Sequence, residues 1–369
     1  MGFRKFVAPA LVALLGLGLL VALITSAFGK HQRDQADAQA ASVVTVRGLV
    51  GSEKEAFYRD PRVAAAFKRL GLVIEVQKAG SREIAARTDL KDFDFAHPAG
   101  APAALKLQQV SKASRIYTPF YTPMAVASWR KLLPVLEGNG LVKQRDGAYY
   151  IIDMSRLLQM VADGTRWREL KNNSVYDTSR AVLISSTDVR KSNSAAMYLA
   201  LASYILNGNN IVQADDEIDR ILPVAGSLFL KQGFQESSSA GPFDDYVGMG
   251  MGKAPLVMVY EAQFLEYQSK QPQPNPDMVL LYPQPTVFTK HVLVPLSANG
   301  ARVGEALTTD KELQSLAAEY GYRGADASHF KTFLQQKKLF APAELVDVID
   351  PPTYAVLEKM IVAIGQKFQ

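Results

Sequence analysis

The sequence predicts an α/β protein of two lobes carried behind an N-terminal transmembrane helix. Three observations point there. Residues 6–28 (FVAPALVALLGLGLLVALITSAF) run without a single charge. Beyond residue 43, short apolar runs of strand character alternate with helical stretches, the pattern of an α/β fold. Two long extended segments broken by prolines, residues 115–129 (RIYTPFYTPMAVASW) and 278–296 (MVLLYPQPTVFTKHVLVPL), mirror each other and read as two strands crossing between the same two lobes.

The N-terminal segment follows Arg4 and Lys5 and precedes Lys30. A helix needs about 20 apolar residues to span a bilayer core. A cleaved signal peptide has an apolar core of only about 7–15 residues. Residues 1–30 are therefore expected to be a retained signal anchor, although Ala36-Asp37-Ala38 offers a small-residue cleavage pattern. Either way the remainder is exported; with the anchor retained, the expectation is a single-pass protein of the cell membrane with its main domain on the extracytoplasmic side. Residues 31–42 (HQRDQADAQAAS) are polar and read as a linker.

The whole chain has 369 residues, 48% hydrophobic and 21% charged, as in folded proteins long enough for two domains. Its net charge is +5, and three of those charges flank the anchor. The rest is too weakly basic, and too poor in Lys/Arg runs, for a nucleic-acid partner. Cysteine is absent, which excludes disulfides, thiolate metal sites, cysteine nucleophiles and a lipid-bearing N-terminal cysteine.

The elements follow in order. Residues 43–50 (VVTVRGLV) are a β-branched run expected to be a buried strand. A helix runs from Glu53, renewed by the cap-and-proline pair Asp60-Pro61, and ends at Gly71. Residues 72–76 (LVIEV) form a second strand, and Ala79-Gly80-Ser81 leads into a short helix. Residues 93–96 (FDFA) are a third strand, with another helix from Pro98. Helices are expected over 131–137, 154–162, 195–206, 309–320 and 329–335, with strands at 181–184 (AVLI) and 255–260 (PLVMVY). Residues 270–277 are a proline-rich surface loop, and the glycine-rich 248–252 lacks the spacing and Lys-Ser/Thr pair of a phosphate loop. The two crossings set the expected boundaries: lobe 1 from residues 43–118 and 279–369, lobe 2 from 119–278.

In parallel sheets ligands gather at the carboxyl ends of strands. Residues 185–195 (SSTDVRKSNSA) carry nine polar or charged side chains just before an apolar helix opens. The free N–H groups and dipole of a helix start favour an anion or polar ligand there. Ser192, Asn193 and Ser194 are the leading candidates. Ser52 and Ser81 hold equivalent places after the first and second strands, and each is either a ligand contact or a plain helix cap. Tyr260 ends a buried strand and offers a hydroxyl to the cleft. Glu261 is placed to latch the hinge, Gly100 permits close backbone approach or a plain turn, and Asp188 pairs with Arg190 or faces water. Arg47 and Lys54 are expected at solvated surfaces. Of four scattered histidines only His97 sits by the cleft, as a satisfied structural residue or a site residue. No pair has metal-ligand spacing and no G-x-S-x-G elbow occurs, so no catalytic residue, metal or cofactor is assigned.

Together these segments resemble bacterial extracellular solute-binding proteins of the type 2 periplasmic binding fold, near the molybdate- and sulfate-binding group. The resemblance covers residues 43–323. It is carried by the 43–52 strand and loop, Ala79-Gly80-Ser81, DFAHPAGAPAA from Asp94 and PFYTPMAVASW from Pro119. STDVRKSNSAAMYLALA from Ser186, PLVMVYEAQF from Pro255 and VLLYPQPTVFTKHVLVPL from Val279 complete it. It implies two α/β lobes that close on a small polar or anionic ligand, and an ABC permease as partner. The expected function is that of a membrane-anchored, non-enzymatic solute-binding protein. The missing lipid cysteine departs from membrane-attached members and motivates the alternative, a ligand-sensing or interaction module of an envelope complex with another membrane protein as partner.

Overall fold

The computed structural model describes residues 43–145, 149–233, 235–345 and 347–368. The expected anchor and linker lie outside the described residues. Among these residues no helix is long and apolar enough to cross a membrane.

The chain opens with β1 (Val44–Val50), β2 (Leu72–Lys78) and β3 (Phe95–His97), and β1 pairs in parallel with both neighbours. Parallel pairing requires a crossover, which the helix Pro61–Arg69 supplies between β1 and β2. Its start is fixed by Asp60, whose carboxylate accepts the Arg62 N–H at 2.8 Å, and by Pro61 in the first turn. Gly71 takes φ +74° in the turn back to β2.

The long strand β4 (Tyr117–Trp129) is followed by β5 (Val142–Arg145), β6 (Tyr149–Asp153), β7 (Val257–Tyr260), β8 (Met278–Gln284) and β9 (Thr286–Pro295). Short β10 (Arg323–Gly324) and β11 (Val348–Ile349) come last. The sheet runs β2-β1-β3-β9-β4-β8-β6-β5, with β7 and β10 also on β4 and β11 on β9. The strand β4 changes partners midway. Up to Pro123 it pairs with β9, and from Met124 it pairs with β7 and β8. The two expected crossings are therefore β4 and the β8–β9 pair.

Each lobe packs helices on both faces of its sheet. Val46, Phe57, Phe95 and Leu293 share one first-lobe cluster, while Leu49, Ile84, Leu107 and Val294 share the opposite one. In the second lobe the helix Asn193–Leu206 is buried along most of its length, with Tyr198 against Phe229. The other second-lobe face holds Ala125, Val257, Tyr246 and Phe330.

Several elements differ from the sequence expectation. Residues 181–184 form no ladder strand: Ala181 bridges Arg166 and Ser185 bridges Val257, while Val182 and Ile184 are fully buried between them. The side chains satisfy the core while most of the backbone is paired singly to flanking segments. The helices Asp215–Leu230, with Pro223 inside it, Ala298–Thr309 and Tyr354–Gly365 were not expected. The last buries Leu357, Met360, Ile361 and Ile364 in the cluster that holds Tyr198 and Phe229, although its place in the sequence groups it with lobe 1.

Candidate functional site

The loops at the strand ends of the first lobe meet the second lobe directly. After β1 the chain makes a tight 3-10 turn over Ser52–Lys54. A Cβ at Gly51 would push against the folded-back Glu53 carboxylate. Ser52 does not cap a helix. Its hydroxyl lies 3.1 Å from that of Ser238 in the second lobe.

Lys54, expected at a solvated surface, is fully buried. Its ammonium bonds the Glu53 carboxylate and sits 3.0 Å from His291 Nδ1. A buried ammonium needs such partners, since an unpaired buried charge is costly. Burial pushes the Glu53 carboxyl up, but the Lys54 ammonium and His291 outweigh it and the net direction is down. Burial pulls Lys54 below the usual lysine range, with Glu53 opposing. His291 is pulled down to about 4, mainly by burial and then by Lys54. Burial likewise pulls His97 down. Its Nδ1 is 2.8 Å from the Tyr58 hydroxyl, while Nε2 of both His97 and His291 has no hydrogen-bond partner. The two histidines are far apart in sequence, but the His291 bridge to Ala99 brings them together. Among the described residues no cluster of His, Asp or Glu could hold a metal ion.

Opposite stands the start of the helix Asn193–Leu206. The Ser192 and Ser194 hydroxyls are 3.0 Å apart, and Ser194 lies 2.9 Å from Thr187. Neither caps the helix by its side chain. The Asn193 amide donates to the Tyr260 hydroxyl at 3.1 Å and packs on Gly100, whose φ of +89° and collision-prone Cβ position both demand glycine. Ser81 accepts the Ala99 N–H at 2.8 Å, tying two first-lobe loops together. Asp188 chelates Arg190 through bonds of 2.7–3.2 Å. Glu261, fully buried, holds Arg323 bidentately at 2.7 and 2.9 Å and accepts the Tyr282 hydroxyl at 2.7 Å. It thereby ties the helix after β7 to β8 and β10.

A recess of about 160 Å³ opens between the lobes. Ser52 and Glu53 line it from the first lobe, Ser238 and Ser239 from the second, and Tyr260, Gln263 and Tyr322 from the crossing region. Of the six expected site residues, Ser52 and Tyr260 line this recess and Asn193 stands one hydrogen bond behind Tyr260. Ser81, Ser192 and Ser194 are buried in contacts with their own lobe. A larger recess of about 570 Å³, between Arg180, Ser186, Gln235 and Asp245, lies wholly in the second lobe and receives nothing from the first.

Sequence reasoning missed Glu53, Lys54, Ser238, Gln263 and His291. Lys54 beside Ser52 at a strand end was the one available signal. Glu53 sits in that same turn, while Ser238, Gln263 and His291 come into range only through long-range contacts.

No protein-family model and no curated protein matches the sequence. Solved structures do match over most of the chain. Iron-bound HitA from Pseudomonas aeruginosa is 10% identical and aligns over 87% of this chain and 99% of its own, with a TM-score of 0.53. The apo ferric ion-binding protein A of Pasteurella haemolytica is 10% identical over 87% of this chain and 98% of its own, with a TM-score of 0.53. An ABC transporter solute-binding protein of Thermotoga lettingae, bound with alpha-D-tagatose, is 11% identical over 87% and 93%, with a TM-score of 0.51. At such identities the likeness is one of architecture: this chain has the two-lobed type 2 periplasmic binding fold of the extracellular solute-binding proteins.

Proposed function

We propose that the protein is a non-enzymatic, extracytoplasmic solute-binding protein that closes its two lobes on a small polar ligand and serves an ABC-type permease. The N-terminal segment holds it at the membrane. Residues 43–118 and 279–369 supply lobe 1 and residues 119–278 lobe 2, save that β8, Phe330 and the C-terminal helix pack with the second-lobe clusters. The observation that carries this reading is the recess furnished from both lobes, with Ser52 facing Ser238 across it. Hinge closure around a ligand is the standard motion of such two-lobed proteins. Ser52 and Tyr260 contact the ligand, and Asn193 positions the Tyr260 hydroxyl. Ser81, Ser192 and Ser194 hold the loops that frame the cleft.

Thermal-shift and calorimetric titration of the purified full chain against oxyanions, amino acids, amines and sugars tests the proposal. At least one solute raises the melting temperature, and Ser52→Trp, which fills the recess from the first lobe, abolishes that rise while the protein stays folded. A panel with no binding, or binding untouched by Ser52→Trp, removes the proposal.

A second reading, an interaction module of an envelope complex, is favoured by the direct bonds that already join the lobes at Ser52–Ser238 and Arg82–Glu358. Affinity capture from membranes separates the two. A transport permease in the eluate supports the first reading, and a stable membrane partner without one supports the second.

A further inference from the structure

We infer that the interlobe recess takes a small organic cation, an ammonium-bearing solute, in place of the anion that helix starts suggest; this rests on the interlobe reading above. Among the described residues, the charged side chains lining the recess are Glu53 and Glu266, two carboxylates. The buried cations nearby are already committed, Lys54 to Glu53 and His291 and Arg323 to Glu261.

The polar groups point the same way. The Tyr322 hydroxyl donates to the Glu53 carbonyl at 2.8 Å, and the Tyr320 hydroxyl lies 3.1 Å from the Asp60 carboxylate as its donor. Gln263 donates its amide to the Ser239 carbonyl at 3.1 Å, and its Oε1 has no partner. The donors of Tyr320, Tyr322 and Gln263 are thus engaged, while acceptor capacity is left over on the carboxylates and on Gln263 Oε1. A ligand with N–H donors and positive charge fits those acceptors, and two carboxylates in the lining disfavour an oxyanion.

The rim already displays this chemistry. The Lys270 ammonium sits 2.6 Å from Glu266 Oε1 and 5.5 Å from the centre of the Tyr320 ring. A carboxylate beside an aromatic face is a setting that attracts ammonium groups. Lys270 is 61% exposed, so its pair with Glu266 is a weak surface contact that an incoming ammonium can replace. The volume of about 160 Å³ holds roughly five water-sized groups, which suits a compact amine.

Calorimetry on the full chain with ethylammonium chloride and 1,4-diaminobutane, against sodium sulfate, sodium citrate and glucose, tests the assignment. The amines bind and the two oxyanions do not. Glu266→Gln weakens amine binding about tenfold, and Lys270→Ala, which removes the competing ammonium, strengthens it several-fold; both variants keep the parent melting temperature. Preferential binding of sulfate, citrate or glucose overturns the cation assignment and leaves the interlobe reading standing. Amine affinity indifferent to both variants also overturns it. Silence across all five compounds overturns both.

Discussion

Lys54 shows how one residue holds the cleft wall. A lysine with no exposed surface depends on Glu53 and His291, and Glu53 depends on it in return. Replacing one partner of a buried ion pair leaves the other charge uncompensated, at a cost of about 3–5 kcal/mol. Lys54→Met is therefore expected to lower unfolding stability by that amount, read by urea denaturation, whereas exposed Arg47→Met changes it by less than about 0.5 kcal/mol. The same cluster sets a pH dependence. His291 titrates at about 4 in the folded protein against an ordinary 6.5. Between these values the unfolded chain binds a proton that the native chain refuses, so stability falls as pH drops through this window. Above about pH 6.5 this group has no effect. Glu53, also pulled down, adds a loss as pH falls below the ordinary carboxylate range. Melting temperatures recorded from about pH 7 to pH 4 should decline steadily, and a flat profile would refute the role given to this cluster.

At the scale of elements, the contact between the helix start at Asn193 and the loop at Gly100 decides how closely the lobes approach. Gly100 takes φ +89° and its missing Cβ is what leaves room for the Asn193 side chain. Gly140 also takes a positive φ, +71°, but has open space around it. Backbone strain of this kind costs on the order of 1–3 kcal/mol. Gly100→Ala is expected to destabilise more than Gly140→Ala, because only the first adds a collision across the interface. Equal losses in paired denaturation curves would mean that the Asn193 contact carries no weight. The C-terminal helix works by a different logic. Leu357, Met360, Ile361 and Ile364 fall at one-face helical spacing and are buried in the second-lobe cluster. From that seat Glu358 reaches Arg82 of the first lobe.

For the whole molecule, this reach makes the C-terminal helix a strap across the two lobes. Arg82 binds Glu358 through two nitrogens and also donates to the Val189 carbonyl of the second lobe at 2.9 Å. The pair is only about one-fifth exposed, so solvent screens it less than a surface bridge. Arg82→Ala removes all three bonds and should shift the lobes toward an open form. A larger radius of gyration in small-angle X-ray scattering is the expected result, and an unchanged one would assign closure to the Ser52–Ser238 and Asn193–Gly100 contacts alone. Crossing strands β4 and β8–β9 remain joined in either form, since their pairing runs through both lobes.

Local pattern alone determined a good deal of this protein. The strand character of residues 43–50, the Asp60-Pro61 helix start and the two proline-broken crossings are written in nearest-neighbour chemistry, and they led to the two-lobed α/β architecture. The polar run before residue 195 was legible as the start of a helix at the interface. Elements whose signals conflict were not legible: a proline sits within Asp215–Leu230, and residues 181–184 look like a strand because burial and β-pairing select the same side chains. What only the tertiary structure decided is the composition of the cleft. Whether Lys54 faces water or Glu53, whether Ser192 and Ser194 meet a ligand or each other, and whether His97 has a companion depend on contacts between residues far apart in the chain. Periodicity reports which side of an element is buried, not what it is buried against, so the charge of the recess became readable only when the lobes were set together.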